Sequence, residues 1–398
     1  MGKKICFVTG TRADYGIMAP VMREVENSPE ATLQIVANNM HMSPRFGMTV
    51  DEIEADGFKV DAKIASLVDG ATSEATVLSM ARLQEGLAKA FGELKPDLVV
   101  ILGDRYEALA AASAAVAFNI PIAHLHGGET TEGAIDDKFR HAITQLSDLH
   151  FASTRQYADR IVAMGKDPDT VFHSGAPGSV PPVPSAEEEE KEAEEFYSKT
   201  GIYPGEPFLL LAFHPVTLLP DKGKGELDAT LEALDSFINQ GYKVLVTLPN
   251  SDPGNDVIRR RLEEWTQLHE GKKRGAFAAY GSQVKSVTSL GSKLFHHALD
   301  NALAIVGNSS AALIEAPSHR LGAVNVGDRQ KGRAHGITVI DAPDEKSAIE
   351  KAIDTALSME MKAVLMGMHV SALNPYYKEG AAAFIAEKLI KNLQNQSI

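Results

Sequence analysis

Short apolar segments alternate with helical segments along the whole chain, and this alternation restricts the fold more than any other feature. In the first half the apolar segments lie at residues 5–9, 33–37, 98–102, 120–125 and 149–152. None of them shows the polar alternation of a half-exposed strand, so each is expected to be buried on both faces. The order strand, helix, strand therefore predicts a doubly wound α/β fold built on a parallel sheet.

The same pattern starts again in the second half. Its predicted strands are residues 208–213, 244–248, 303–306, 323–326 and 337–340. Between the halves lie a stiff Pro-Pro-Val-Pro-Ser segment at 181–185 and an acidic run at 186–195, which is typical of a solvated helix face. We therefore predict two Rossmann-like domains that divide near residue 180, with a ligand cleft between them as in nucleotide-sugar glycosyltransferases.

Composition excludes several classes of protein. The 398 residues carry a formal net charge of -14, which argues against a nucleic-acid-binding protein. An anionic small substrate is still compatible, because it needs only a local group of arginines and helix N-termini. The single cysteine, Cys6, allows no intrachain disulfide and fits a reducing compartment. No segment approaches the roughly 20 apolar residues of a membrane span, so we expect a cytoplasmic enzyme.

Polar residues directly after the strands are the first candidates for a site, because ligands bind outside the carboxyl ends of a parallel sheet. Arg12 follows the first strand and is expected either in an ordinary glycine turn or against a phosphate. Asp104 follows the strand at 98–102 and is either a helix N-cap or a catalytic acid. His126 and Glu129 follow the next strand, around two glycines that let a ligand approach the backbone. Since the two strands are consecutive, these residues are expected at one edge of the sheet.

The helix that follows adds further charged residues. Asp136 and Arg140 are four apart, as are Asp137 and His141, so each pair shares a helix face. Both pairs are compatible with solvated surface pairs. In an amphipathic helix one pair is expected in solvent and the other toward the cleft, and spacing alone does not say which.

In the second half the strand ends predict an anion site. His214 and Asn250 end two strands, and a lone histidine there is most often structural. Ser309 and Ser310 follow a third strand and precede a helix that is expected to contain Glu315; amides and hydroxyls at a helix N-terminus bind anions, although a simple N-cap is the alternative. The loop at 327–333 adds three cations and is either part of a diphosphate site or a solvated basic loop.

These motifs appear in order along the chain, and their combination is much more specific than any one of them. They are Gly10-Thr11-Arg12-Ala13-Asp14, Met40-His41-Met42, Gly103-Asp104-Arg105, His126-Gly127-Gly128-Glu129, Asp136-Asp137 with Arg140-His141, His214-Pro215, Gly307-Asn308-Ser309-Ser310 and Gly327-Asp328-Arg329-Gln330. From about residue 3 to residue 395 the chain closely resembles the hydrolysing UDP-N-acetylglucosamine 2-epimerases of bacterial sialic-acid biosynthesis.

The resemblance implies a glycosyltransferase-B-type fold. Its first domain, 1–180, would be completed by the C-terminal segment 375–398, and its second domain would span 181–374. UDP would lie mainly on the second domain. The residues implied to bind it are Arg12, Asn250, Ser309, Ser310, Glu315 and Arg333. Related enzymes form homodimers or homotetramers, so we expect one of these assemblies.

The implied reaction is elimination of UDP across C1–C2 to give 2-acetamidoglucal, followed by hydration to N-acetylmannosamine. The weakly acidic C2 hydrogen requires a fixed carboxylate, and the departing UDP requires cations and amide donors. Asp104 and Asp136 match acidic catalytic positions of the family, and Arg140 and His214 match active-site positions. Asp104 is the favoured base, and no cofactor or metal is needed.

Two departures from relatives bear on this assignment. Where some relatives have a catalytic Glu before Gly-Gly, this chain has His126, so the acid–base role falls to His126 or to Glu129. Non-hydrolysing relatives have a Lys where Ile17 stands here.

Four other functions remain compatible with parts of the pattern. They are hydrolysing epimerisation of UDP-2,4-diacetamido-2,4,6-trideoxy-glucose, non-hydrolysing epimerisation, glycosyl transfer and non-catalytic sensing of a nucleotide-sugar. The intact acids at 104 and 136 disfavour the last of these.

Overall fold

The chain forms two compact units in a computed structural model that describes residues 2–269 and 282–395. Unit 1 consists of the described parts of 1–130, 135–180 and 376–398, and unit 2 consists of 131–134 and 181–375. The domain ranges predicted above also include residues 1, 270–281 and 396–398, which lie outside the described residues.

Unit 1 is built on a parallel sheet. Within the described residues it has seven strands in the order β3-β2-β1-β4-β5-β6-β7. These are β1 (Lys3–Thr9), β2 (Ala31–Asn38), β3 (Ala62–Ile64), β4 (Leu98–Leu102), β5 (Ile122–Leu125), β6 (Leu149–Ala152) and β7 (Val171–His173). The helices of its first part are α1 (Arg12–Asn27), α2 (Val50–Ala55), α3 (Ser73–Leu94), α4 (Tyr106–Ala117), α5 (Asp136–Leu146) and α6 (Arg155–Ala163).

Unit 2 repeats this architecture. In the part of the chain that the structure describes, its parallel sheet has six strands in the order β10-β9-β8-β11-β12-β13. These are β8 (Phe208–Ala212), β9 (Lys243–Thr247), β10 (Val284–Val287), β11 (Ala304–Gly307), β12 (Gly322–Val326) and β13 (Val339–Ala342). The helices are α7 (Ala186–Thr200), α8 (Lys224–Asn239), α9 (Asn255–His269), α10 (Gly291–Asn301), α11 (Ala311–Ile314), α12 (Lys346–Leu357), α13 (Met359–Gly367) and α14 (Val370–Leu373).

The last helix, α15 (Ala381–Asn395), packs on unit 1. Ile385 and Leu389 are fully buried in the same apolar cluster as Met18 of α1. Just before this helix, the carbonyl of Tyr376 accepts hydrogen bonds from the Ala176 amide and the Ser179 hydroxyl, both at 2.9 Å. The C-terminal segment is therefore fixed to unit 1 by polar and apolar contacts.

Strand order fixes where each unit can bind a ligand. In unit 1 the chain passes from β1 to β2 on one side and later returns to β4 on the other side of β1. In unit 2, β9 and β11 flank β8 in the same way. Such points, where the direction of winding reverses, open a crevice at the carboxyl ends of the strands.

The predicted fold class is confirmed, since both sheets are parallel and doubly wound. The strands predicted at 98–102 and 149–152 match β4 and β6, and the acidic run forms the exposed helix α7. The strand predicted at 337–340 lies two residues later, at Val339–Ala342. Among the described helices, none is long and apolar enough to cross a membrane.

Candidate functional site

Asp104 lies directly beyond the end of β4. Its carboxylate forms an ion pair with the guanidinium of Arg140 on α5, which donates a hydrogen bond to it. The side chain of Asp104 is 21% exposed and that of Arg140 is 1% exposed. Arg105, and not Asp104, is the N-cap residue of α4. The N-cap alternative for Asp104 is therefore wrong, and its carboxylate is instead held by a buried cation.

His126 and Glu129 lie beyond the neighbouring strand β5 and contact each other. Nδ1 of His126 is 2.9 Å from Oε1 of Glu129, and the hydroxyl of Ser153 donates to that same oxygen at 2.6 Å. Glu129 is completely buried. His126 has a φ of 63°, which is uncommon for a residue with a side chain and marks a backbone held by its surroundings.

A buried histidine on β5 supports both of these loops. Nε2 of His124 is 2.7 Å from the carbonyl oxygen of Gly103, the residue before Asp104. Burial lowers the pKa of His124 to about 4, so the ring is neutral at pH 7 and donates from Nε2. A Cβ on Gly127 would lie 2.8 Å from Nδ1 of His124, so only glycine fits there without displacement. The Asp104 loop and the 126–129 loop therefore share one buried support.

The charged side chains of α5 contact one another and the loop that follows β4. Nε2 of His141 is 3.5 Å from a carboxylate oxygen of Asp137, as the spacing of four predicts. Arg140 contacts Asp104 and lies 3.7 Å from Asp137, two contacts that the spacing along the helix did not predict. The reason is burial: the guanidinium of Arg140 is inside unit 1, where a carboxylate from another strand end reaches it. Asp136 is the first residue of α5 and is half-buried.

The loop after β1 is organised by Asp14. Its carboxylate accepts from the amides of Gly10 at 2.9 Å and Thr11 at 2.8 Å, and Thr11 caps α1 in return. Arg12 is the first residue of α1 and is half-buried. Gly10 lies in a closely packed turn. Arg12 lies just after this turn, at the carboxyl end of β1.

One buried acid at this edge, Glu107, is not among the residues that the sequence predicts for the site. Glu107, in the first turn of α4, accepts from Arg105 at 3.0 Å and from the side-chain amide of Asn39. Burial raises its pKa, and the charge of Arg105 opposes that rise. The spacing of three from Asp104, at the start of a helix that follows a strand, is the signal that could have identified it.

In unit 2 the loops after β8, β11 and β12 are joined through Asn308. Its side chain accepts from the backbone amide of His214 at 2.7 Å and donates to the His214 carbonyl at 2.9 Å. Its own carbonyl accepts from Arg329 at 3.0 Å and from Gln330 at 2.8 Å. Asn308 is completely buried, so it fixes the backbone of His214 and leaves that side chain half-buried.

Ser309 and Ser310 lie between β11 and α11. A Cβ on Gly307 would lie 2.2 Å from the carbonyl of Ala212, which explains a glycine before this loop. Ser309 is buried, and Ser310 is the N-cap residue but makes no side-chain capping bond within the described helix. Because α11 has only four residues, its dipole is small, and anion binding here depends on amides and hydroxyls.

Glu315 does not lie in this helix, so that prediction is wrong. It is the C-cap residue of α11, where the chain passes into a 3₁₀ turn at Ala316–His319. The next residues, Ala316-Pro317, end the α-helical pattern because proline cannot continue it. Burial raises the pKa of Glu315 to about 7.

The remaining candidates are at strand ends of the same sheet. Asn250 follows β9 and is half-buried. Arg333 is half-buried and donates to the side-chain oxygen of Gln330 at 2.9 Å. Among the described residues, no group of three or more His, Cys, Asp or Glu side chains is placed to hold a metal ion.

Comparison with known proteins places this architecture in one family. The family model described as UDP-N-acetylglucosamine 2-epimerase matches residues 23–390. The chain is 32% identical over 380 residues to the polysialic acid biosynthesis protein P7 of Escherichia coli, covering 95% of this chain and 91% of that protein. It is 35% identical over 360 residues to a Legionella pneumophila protein named UDP-N,N'-diacetylbacillosamine 2-epimerase (hydrolyzing), covering 90% of each.

A solved structure supports the same fold. The UDP-GlcNAc 2-epimerase of Neisseria meningitidis, determined with UDP-GlcNAc bound, superposes with a TM-score of 0.76 over 98% of this chain and 100% of that chain, at 17% identity. The two parallel-sheet units are thus glycosyltransferase-B-like. From the family match and the length of the aligned relatives, the chain belongs to the UDP-N-acetylglucosamine 2-epimerase family.

Proposed function

We propose that this protein is a hydrolysing UDP-N-acetylglucosamine 2-epimerase that produces N-acetylmannosamine and UDP. The observation that carries the proposal is the presence of two pairs of ionisable side chains next to the ends of neighbouring strands of unit 1. These are Asp104 with Arg140 and Glu129 with His126. Family membership supplies the substrate class, and Asp104 supplies the fixed carboxylate that proton removal at C2 requires.

Elimination would begin at Asp104. Its carboxylate is partly exposed, while the guanidinium that pairs with it is buried, so the charged form of Asp104 is stabilised and accessible. Asp104 takes the proton from C2, the C2–H electron pair forms the C1–C2 double bond, and the C1–O bond breaks with its electrons on UDP. A fixed carboxylate at hydrogen-bonding distance is what removal of a weakly acidic hydrogen needs.

Hydration would complete the reaction. Water supplies a hydroxyl group to C1, and C2 receives a proton on the face opposite to the one that lost it. We assign the proton donor to Asp136, which is half-buried at the start of α5. The sum is UDP-N-acetylglucosamine plus water giving N-acetylmannosamine plus UDP, with no net oxidation or reduction.

Unit 2 would hold the nucleotide. The Ser310 hydroxyl is not used in capping α11, and Arg333 is half-buried on the loop after β12, so both are suited to a diphosphate. We assign Glu315 to the ribose and place Ser309, Asn250, His214 and Arg12 among the UDP-binding or active-site groups, as the family resemblance implies.

A second sugar is supported by a specific observation. The Legionella relative, at 35% identity, is named for UDP-N,N'-diacetylbacillosamine, the 2,4-diacetamido-2,4,6-trideoxy sugar. The proposed chemistry at C1 and C2 is the same for both sugars, so the second candidate changes the substituents at C4 and C6 and leaves the reaction unchanged.

Product analysis separates these functions. The purified protein is incubated with each UDP-sugar, and free UDP and sugars are followed by ¹H NMR. We expect UDP and N-acetylmannosamine from UDP-N-acetylglucosamine. Rapid UDP release from the 6-deoxy substrate alone would select the second candidate. Formation of UDP-N-acetylmannosamine with little UDP would show a non-hydrolysing enzyme, and UDP release that requires an added acceptor would show a glycosyltransferase.

We also propose a homodimer or homotetramer. Light scattering coupled to size exclusion tests this directly, because the monomer mass is 42.7 kDa.

A further inference from the structure

We propose that Glu129 is a positioning residue that fixes the ring of His126 as the Nδ1–H tautomer, so that Nε2 of His126 accepts the proton of the water that adds to the sugar. The tautomer is a property of the protein alone, whereas the proton-transfer step depends on the proposed function.

The surroundings of Glu129 exclude direct contact with a substrate. The side chain has no exposed surface, and its Oε1 is already within hydrogen-bonding distance of the Ser153 hydroxyl and of His126 Nδ1. A buried carboxylate that accepts from two donors is held in one orientation. Glu129 is therefore placed to act on the reaction through a neighbour, and its contact with His126 identifies that neighbour.

The same contact determines which ring nitrogen of His126 carries hydrogen. Oε1 of Glu129 accepts from the Ser153 hydroxyl and is therefore an acceptor toward His126 as well, so Nδ1 donates, and in the neutral ring Nε2 then has the free lone pair. Nε2 is buried, and it has no hydrogen-bond partner among residues 2–269 and 282–395. A buried polar atom without a partner is unusual and points to a group that the structure does not contain.

The backbone of His126 shows that this orientation is imposed. Its φ of 63° lies in the left-handed region, where a residue with a side chain is disfavoured. Such strain persists where the surrounding structure holds it, and it is common at functional sites. Here the Glu129 contact and the packed glycines that follow His126 hold it.

The proposed step balances in atoms and charge. As the water oxygen forms its bond to C1, one O–H bond breaks, its electron pair stays on oxygen, and the proton bonds to Nε2. The resulting imidazolium faces the carboxylate of Glu129, which offsets its charge, as in catalytic triads where an acid orients a histidine. The proton returns to solvent when the sugar product leaves.

The test measures tautomer and turnover separately. With ¹⁵N-labelled histidine, long-range ¹H–¹⁵N correlation spectra report which ring nitrogen is protonated, and the His126→Gln variant identifies the signal. We expect an Nδ1–H ring in the wild-type protein, and loss of that fixed tautomer in Glu129→Met, which has no acceptor oxygen. We expect kcat to fall at least 100-fold in Glu129→Met and in His126→Gln, with KM changed less than about threefold.

Two further variants keep the inference testable if Glu129→Met does not fold. Ser153→Ala removes the other donor to Glu129 and should keep the tautomer and at least one fifth of kcat. Glu129→Gln keeps one acceptor oxygen but no charge, so it should fold if Glu129→Met does not, and its kcat should lie below that of Ser153→Ala.

Three results would overturn the inference. They are an Nε2–H ring in the wild-type protein, an unchanged tautomer in Glu129→Met, and nearly wild-type kcat in His126→Gln. If instead the tautomer behaves as expected but the wild-type protein turns over neither UDP-sugar, the proposed function fails while the Glu129–His126 relationship remains.

Discussion

The guanidinium of Arg140 is buried inside unit 1 and donates to the carboxylate of Asp104, which remains 21% exposed. The two residues differ in exposure, so a ligand can reach the carboxylate of Asp104 but not the guanidinium of Arg140. Arg140 also lies 3.7 Å from Asp137, so its charge is compensated from two sides.

Replacing Asp104 tests its role as the C2 base. Asp104→Asn keeps the shape but removes the proton acceptor, so we expect UDP release to fall roughly 10²–10⁴-fold. Unfolding free energy should drop by less than the ~3–5 kcal/mol typical of a broken buried pair, since Asp137 still faces Arg140. A coupled assay for free UDP and calorimetric titration with UDP give the two readouts, and UDP affinity should stay within about threefold because the proposed UDP groups of unit 2 are unchanged.

The control for this variant is Asp159→Asn, which removes a charge from the exposed pair with Arg155. Its activity and stability should be nearly those of the wild type. Wild-type turnover by Asp104→Asn would remove Asp104 from the mechanism.

Gly127 is predicted to tolerate no side chain. A Cβ there would lie 2.8 Å from Nδ1 of His124 and 3.1 Å from the hydroxyl of Thr144. Gly127→Ala should therefore destabilise the protein by roughly 1–3 kcal/mol and lower activity by displacing His124 from Gly103. Gly92→Ala in α3 is a matched control, because no described atom outside the adjoining backbone of its own helix lies within 4 Å of its Cβ position. That change should stabilise by up to about 1 kcal/mol in thermal unfolding, and equal effects of both substitutions would contradict the close contact.

The prediction of elements from sequence succeeded where burial is continuous and missed three short strands at the edges of the described sheets, while the edge strand β13 was placed two residues early. β4 is aliphatic throughout, β6 has one polar residue, His150, and both strands are almost entirely buried, so a short apolar run predicts them. The edge strands β3, β7 and β10 have three, three and four residues, and β10 reads Val-Lys-Ser-Val. Short edge strands with polar residues carry too little periodicity to be separated from loops.

The strand order also predicts part of the candidate site, but not the contacts between its side chains. The shared edge of Asp104 and His126 follows from consecutive strands, and the structure places β4 and β5 side by side. The partners of those residues do not follow from spacing. Arg140 reaches an acid 36 residues away, and Asn308 joins a loop 94 residues away, because such contacts depend on how helices pack on the sheet.

The hydroxyl of Ser310 should contribute to UDP affinity and little to stability. It makes no capping bond with the described helix α11, so Ser310→Ala removes no contact that holds the fold. We expect calorimetric titration to show UDP binding weakened about tenfold, the value of one hydrogen bond to a charged group, with Tm nearly unchanged. Ser113→Ala in unit 1 serves as the control. Unchanged UDP affinity in Ser310→Ala would exclude its hydroxyl from the diphosphate site.

Glu315 should make stability depend on pH in a defined window. Burial raises its pKa from 4.5 to about 7, so the folded state holds a proton that the unfolded state has already lost. Its ionisation therefore costs folding free energy that is absent below pH 4.5, grows up to about pH 7 and is constant above that. Glu315→Gln removes this cost. In urea unfolding, the free energy of unfolding of the variant should therefore rise relative to that of the wild type between pH 4.5 and about pH 7. The exposed Glu194→Gln should show no such trend, and a flat difference for Glu315→Gln would contradict the burial effect.

Asn308 is predicted to matter for both stability and UDP binding. Asn308→Ala leaves the amide and carbonyl of His214 without their partners, which should cost roughly 1–3 kcal/mol. Because Ser309 follows directly, we expect UDP affinity to fall as well, by about tenfold or more in titration. The surface variant Asn301→Ala, which loses one exposed hydrogen bond to His297, should change neither quantity appreciably.

The contacts of Asn308 also bear on protein engineering within this family. Its side chain forms hydrogen bonds with the loop after β8, and its carbonyl accepts hydrogen bonds from the loop after β12. The positions of these two loops and of its own loop therefore depend on one another. Grafting the loop of a relative with another sugar preference into a single one of the three positions would break hydrogen bonds in the other two. Chimeras that exchange substrate preference will have to carry all three loops together.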